Sequence, residues 1–172
     1  MTPPLLVFGW GNESRGDDAL GPLFVDRLRT LSGAAGKQGV EFLDDYQLQI
    51  EHALDLVGRE RVLFVDAAST GGAPYEVAEL RPFRDASFTS HSISPQSVMR
   101  VYRDLYGADP PPCRLLAIRG TRFELGEPLS SEAVTNLEAA LAFGRRWLTQ
   151  AHQSIVAGRE SDSRPAGAGA SR

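Results

Sequence analysis

The sequence predicts an α/β fold: a three-layer sandwich in which a twisted, mainly parallel sheet carries helices on both faces. Short apolar runs alternate along the chain with amphipathic stretches at helical spacing, the pattern of strands joined by crossover helices. Val62–Val65 is apolar throughout and β-branched at both ends, as expected for a strand covered on both faces. Leu5–Gly9 is a second such run, and its turn Gly9-Trp10-Gly11-Asn12 leads towards a helix.

The elements follow in order. Leu5–Gly9 reads as a buried strand. Leu20–Leu31 places Leu20, Phe24, Leu28 and Leu31 on one helical stripe. Val40–Leu43 reads as a strand, and Leu48–Val57 as a short helix with Ile50, Ala53, Leu54 and Val57 inward, closed by Gly58. Val62–Val65 stops at Asp66. Tyr75–Leu80 interleaves apolar residues with Glu76 and Glu79, so it reads as a more exposed strand. After the polar loop Arg84–Ser94, Pro95 opens a helix at a position where its missing N–H is harmless. Val98, Val101, Tyr102 and Leu105 form that helix's buried face. Arg114–Ile118 is another strand. Ser130–Leu148 is the longest helix, with Ser130 as N-cap and Val134, Leu137, Leu141 and Leu148 inward. Residues 1–153 therefore form one domain. Residues 154–172, rich in Gly, Ser, Ala and Arg, are expected to be a disordered tail.

Composition narrows the function. The 172 residues are 42% hydrophobic and 23% charged, with a net charge of −4, which is ordinary for a soluble domain. No dense basic patch favours nucleic acid or an anionic membrane. The single cysteine, Cys113, rules out an intrachain disulfide and a multi-thiolate metal site. Met1–Trp10 lacks the basic start of an export signal, and no apolar run is long enough to span a bilayer. A cytoplasmic protein is the expectation, and nothing in the chain demands more than a monomer.

In an open α/β sheet, ligands bind beyond the carboxyl ends of the strands. Asp17 and Asp18 follow the first strand, Asp66 closes Val62–Val65, and His91 lies in the loop after Tyr75–Leu80. Two carboxylates and an imidazole from three loops suit a borderline divalent ion such as zinc or nickel and leave a coordination position open. Plainer roles compete. Either aspartate of the pair can cap the following helix, and Asp17 is assigned that role, leaving Asp18 to the site. Asp66 can accept turn N–H groups, and His91 can be a solvated loop histidine. His52, on the polar or half-buried side of its helix, and His152, near the tail, are given no role. Gly9-x-Gly11 suggests a phosphate cradle, but the third glycine falls at Ser14 and the acidic pair would repel a pyrophosphate. The glycines are expected to tighten the turn and let backbone pass close to a bound peptide.

Leu6–Gly21, with Gly9-Trp10-Gly11-Asn12 and then Asp17-Asp18, resembles the N-terminal signature of the hydrogenase maturation proteases. Leu63-Phe64-Val65-Asp66-Ala67 is similar to the family's second motif and Thr89-Ser90-His91 to its third. Arg119–Ser130 resembles the segment leading into its last helix. The resemblance covers about Leu5 to Leu148. It implies an endopeptidase that removes the C-terminal extension of a nickel–iron hydrogenase large-subunit precursor once nickel is in place. It puts the family's metal-contacting positions on Asp18, Asp66 and His91, which would be both catalytic and metal-binding. The nickel would arrive in the precursor, with none expected in the free enzyme. Ala19 stands where the family often has glycine. Asp44–Glu51, where the family is often Gly-rich, resembles the branch serving soluble, cofactor-reducing or bidirectional hydrogenases. Whether a carboxylate of this aspartyl-type site or a metal-activated water performs the hydrolysis stays open. A nickel-sensing assembly factor without peptidase activity is the alternative, and a nucleotide-binding domain a third reading.

Overall fold

In the computed structural model, residues 1–36, 38–83 and 93–163 are described. Five strands form one sheet in the order β2-β1-β3-β5-β4. They are β1 (Leu5–Trp10), β2 (Val40–Asp45), β3 (Arg61–Ala68), β4 (Tyr75–Leu80) and β5 (Cys113–Arg119). All neighbours run parallel except β4, which lies antiparallel on β5 at one edge. That edge position accounts for the polar alternation of Tyr75–Leu80, because an edge strand has neighbours on one side only.

Among the described residues three α-helices accompany the sheet: α1 (Leu20–Gly36, interrupted at Gly33), α2 (Pro95–Tyr106) and α3 (Ser131–Asp162). Alternation along β1 sorts the core into two layers. Leu5 and Val7 pack with Leu63, Val65, α1 and α3 on one face. Leu6, Phe8 and Trp10 pack with Phe64, Leu56, Val98 and Met99 on the other. The predicted three-layer sandwich is the observed one. Gly144 brings α3 close to α1, since a Cβ there would stand 2.6 Å from the Phe24 ring.

Several boundaries differ from expectation. Leu48–Val57 is not an α-helix; Ile50–Leu56 is a 3₁₀ segment. With three residues per turn it buries Ala53 and Leu56, leaving Ile50, Leu54 and Val57 exposed. Leu31, Leu105 and Val134 are also exposed. On α3 the inward stripe runs through Ala133, Leu137, Ala140, Gly144, Trp147 and Ala151, so small residues, not Val134, mark the packed face. The helix does not stop at the expected start of a tail. It continues to Asp162 and buries Ile155, while residues 164–172 lie outside the described residues. Among the described residues no helix is long and apolar enough to cross a membrane.

Candidate active site

The sheet order places a topological switch point between β1 and β3: from β1 the chain goes to β2 on one side, then returns to β3 on the other. A crevice opens beyond the carboxyl ends of two such strands. Here it is a cleft of about 450 Å³, in the usual range for ligand sites. Asp18 and Asp66 both line it, with Trp10, Asn12, Arg15, Tyr46 and Phe123 among the other walls.

Asp66 is not the end of its strand, contrary to the sequence reading. β3 continues to Ala68, and Asp66 pairs with Ala117 of β5. The last pair between β1 and β3 is Gly9 with Val65, so the pairing of β3 with β1 ends just where Asp66 begins, while Trp10 stays paired with Asp45 of β2. Its side chain therefore faces the cleft from a rigid strand. Burial, offset in part by the Ala67 N–H and reinforced by the charge of Asp18, pushes the Asp66 carboxyl up to about 7. Asp18 accepts the Asn12 main-chain N–H at 2.7 Å.

Asp17 has a different job from the one expected of it. It does not cap α1. Its carboxylate, fully buried, accepts the Ser130 hydroxyl (2.6 Å) and the main-chain N–H groups of Ser130 (2.7 Å), Thr121 (2.7 Å) and Arg122 (2.9 Å). Burial alone would raise its pKa, but the bonds from Ser130, Thr121 and Arg122 outweigh it and hold the carboxyl below its usual range. Ser130 is itself the N-cap of α3, receiving Ala133 N–H. Asp17 thus ties the turn after β1 to the segment 121–130, which carries Phe123 to the cleft.

The glycines also act within the chain. A Cβ on Gly9 would lie 2.5 Å from the Gly21 carbonyl oxygen, and one on Gly11, whose φ is +152°, only 1.9 Å from that of Asp18. They let the first helical turns sit against β1, which places Asp18; the room expected for a peptide is filled by the protein's own backbone.

His91 lies outside the described residues, so the structure brings together two of the three predicted site residues. Among the described residues no three His, Cys, Asp or Glu side chains gather as a metal site. The oxygen donors Asp18 and Asp66 suit a divalent ion that still needs another ligand. Sequence reasoning missed Tyr46 as a wall residue. Its position directly after β2, at the carboxyl end of the sheet, was the available signal.

No family model matches the sequence, and no curated protein does. Solved structures do. The hydrogenase maturating endopeptidase HybD of Escherichia coli is 25% identical, with a TM-score of 0.60 over 91% of this chain and 93% of that one. The chain is similar to a hydrogenase maturation endopeptidase over nearly its whole length. The nickel–iron hydrogenase maturation protease HycI of Thermococcus kodakarensis shares the fold at a TM-score of 0.65, 23% identity, and coverage of 86% of this chain and 93% of that one. So does a hydrogenase 2 maturation peptidase from a Thaumarchaeota archaeon (TM-score 0.60, 24% identity, 84% and 97% covered). Three of the four motif segments lie among the described residues, and they meet as one structure. The first and fourth are bonded through Asp17, and the second faces the first across the cleft.

Proposed function

We propose that this chain is an endopeptidase that removes the C-terminal extension of a nickel–iron hydrogenase large-subunit precursor, acting as a monomer in the cytoplasm. The observation that carries the proposal is the pairing of Asp18 and Asp66 in one cleft at the switch point, with Asp66 poised near neutrality. The nickel belongs to the substrate. Asp18 and Asp66 offer it oxygen ligands, and His91 supplies the third by the resemblance of Thr89-Ser90-His91 to the family motif.

A group with a pKa near 7 is about half protonated at neutral pH. A divalent ion brought by the precursor favours the carboxylate and lowers that pKa. A nickel-loaded precursor would then meet Asp66 fully ionised, a gain of at most about twofold at pH 7, so the link of cleavage to metal insertion rests on nickel holding the precursor at Asp18 and Asp66. Ionised Asp66 can take a proton from the water that attacks the scissile carbonyl. It can return that proton to the departing amine as the C–N bond breaks. The stretch Asp44–Glu51 points to a precursor of the soluble, cofactor-reducing or bidirectional hydrogenases.

The test is incubation of the purified protein with nickel-loaded and nickel-free precursor, followed by mass spectrometry of the large subunit. Shortening of the loaded sample alone is expected, and Asp66→Ala and His91→Ala should abolish it. Equal shortening of both samples would remove nickel from the proposal. Stable binding without shortening would favour a nickel-sensing assembly factor.

A further inference from the structure

His52 received no role from the sequence, yet in the folded chain it lies just behind the cleft wall. Its side chain is 14% exposed, and its ring stands 4.6 Å from that of Phe8. The Gln49 main-chain N–H donates to its Nδ1 at 2.8 Å. Nδ1 is therefore the acceptor, and the ring proton sits on Nε2, directed at Asp45 Oδ2 3.1 Å away.

Asp45 is the last residue of β2, and every acceptor it offers is used to shape the cleft. Its other carboxylate oxygen takes the Tyr46 N–H at 2.6 Å, and its carbonyl takes the Gly11 N–H at 3.1 Å. Tyr46, 63% exposed on the cleft wall, accepts the Asn12 side-chain amide at its hydroxyl (2.8 Å). The main-chain N–H of that same Asn12 holds Asp18. Two routes thus run from Asp45 to the loop that aims Asp18, one through Gly11 and one through Tyr46.

We propose that His52 is a positioning residue for the cleft: by fixing Asp45 it sets the wall of Tyr46 and Asn12 against which the substrate peptide lies and from which Asp18 is aimed. It touches neither substrate nor metal. The proposal rests on the peptidase reading above for its kinetic consequence, but not for its structural one.

Two substitutions separate the two bonds of the ring. Asn at position 52 keeps an acceptor near the Nδ1 position and loses the donor to Asp45; Gln reaches the Nε2 position and keeps that donor. With the full chain and nickel-loaded precursor, His52→Asn should raise KM about tenfold, the worth of one hydrogen bond to a charged group. Its kcat should stay within about twofold, and His52→Gln should recover most of the loss. Amide hydrogen exchange of the free protein reads the positioning directly. In His52→Asn the Asn12 and Tyr46 amides should exchange about tenfold faster while β1 and β3 keep their protection, and His52→Gln should restore them. Unchanged exchange at Asn12 and Tyr46, or faster exchange spread evenly through β1 and β3, overturns the proposal, as does a wild-type KM in His52→Asn. If the wild-type protein cleaves no precursor, the peptidase reading fails and the exchange measurement alone decides the role of His52.

Discussion

The Asp17 carboxylate receives both the hydroxyl and the main-chain N–H of Ser130, at 2.6 and 2.7 Å, across more than a hundred residues of chain. One buried side chain joins the turn after β1 to the N-terminus of α3. Its neighbour Asp18, one residue on, turns instead to the cleft. The pair divides its labour between holding the fold and presenting a charge.

Asp17→Asn should therefore act on stability. Hydrogen bonds to a charged acceptor are worth more than neutral ones, and the amide cannot accept all the bonds the carboxylate does. A loss of about 3 kcal/mol at pH 7 is expected from urea unfolding, well above the cost of a lost helix cap. Because the folded pKa is depressed, the carboxylate's contribution is present above the unfolded pKa near 4 and fades as the pH falls through the folded value. The gap between variant and wild type should narrow in acid; a gap that widens there would contradict the assignment.

Asp66 carries the opposite sign. Its folded pKa of about 7 lies above the unfolded one, so this group favours the folded state most below pH 4, and the contribution is lost as pH rises through 7. Asp66→Asn keeps the shape without the buried charge. The variant should be more stable than wild type by about 1–3 kcal/mol at pH 8 and closer to it at pH 4. Thermal melts at the two pH values, without metal, would show it. A variant less stable than wild type at pH 8 would mean that the ionised carboxylate is well accommodated in the cleft.

Gly11→Ala places a methyl group where the Asp18 carbonyl oxygen already is, at a backbone angle that favours glycine. Strain of about 1–3 kcal/mol is expected. Because the displaced atoms belong to Asp18, cleavage should fall further than the folded fraction does. Activity that tracks the folded population would show that Asp18 does not depend on this contact.

Ile155→Ala tests the end of α3. The side chain is buried against the core two residues past the expected end of the domain. Removing it should cost about 2 kcal/mol, the low end for a core aliphatic residue, since the helix end can settle into the gap. No measurable change in urea midpoint would return residues 154–162 to the status of a tail.

How far the sequence reached is visible in particular residues. The strand runs Leu5–Gly9 and Val62–Val65, the cap Ser130 and the helix start Pro95 were all legible, because they depend on local pattern and chemistry. The three-layer order followed from them. Val134 and Leu54 were misplaced because periodicity finds a stripe without showing how wide a face the neighbours cover. Gly144 and Ala140 were overlooked because small residues mark close approach only once the opposing helix is known.

By itself, the sequence determined the layers and the stations of Asp18 and Asp66 at the sheet's carboxyl end, since strand length and alternation act over a few residues. Only the tertiary structure decided which of two adjacent aspartates is buried, that burial pushes the Asp66 carboxyl up, and that the His52 ring meets Asp45 at the end of β2. Each of those depends on burial and on hydrogen-bond partners brought from distant parts of the chain, and no local pattern encodes them.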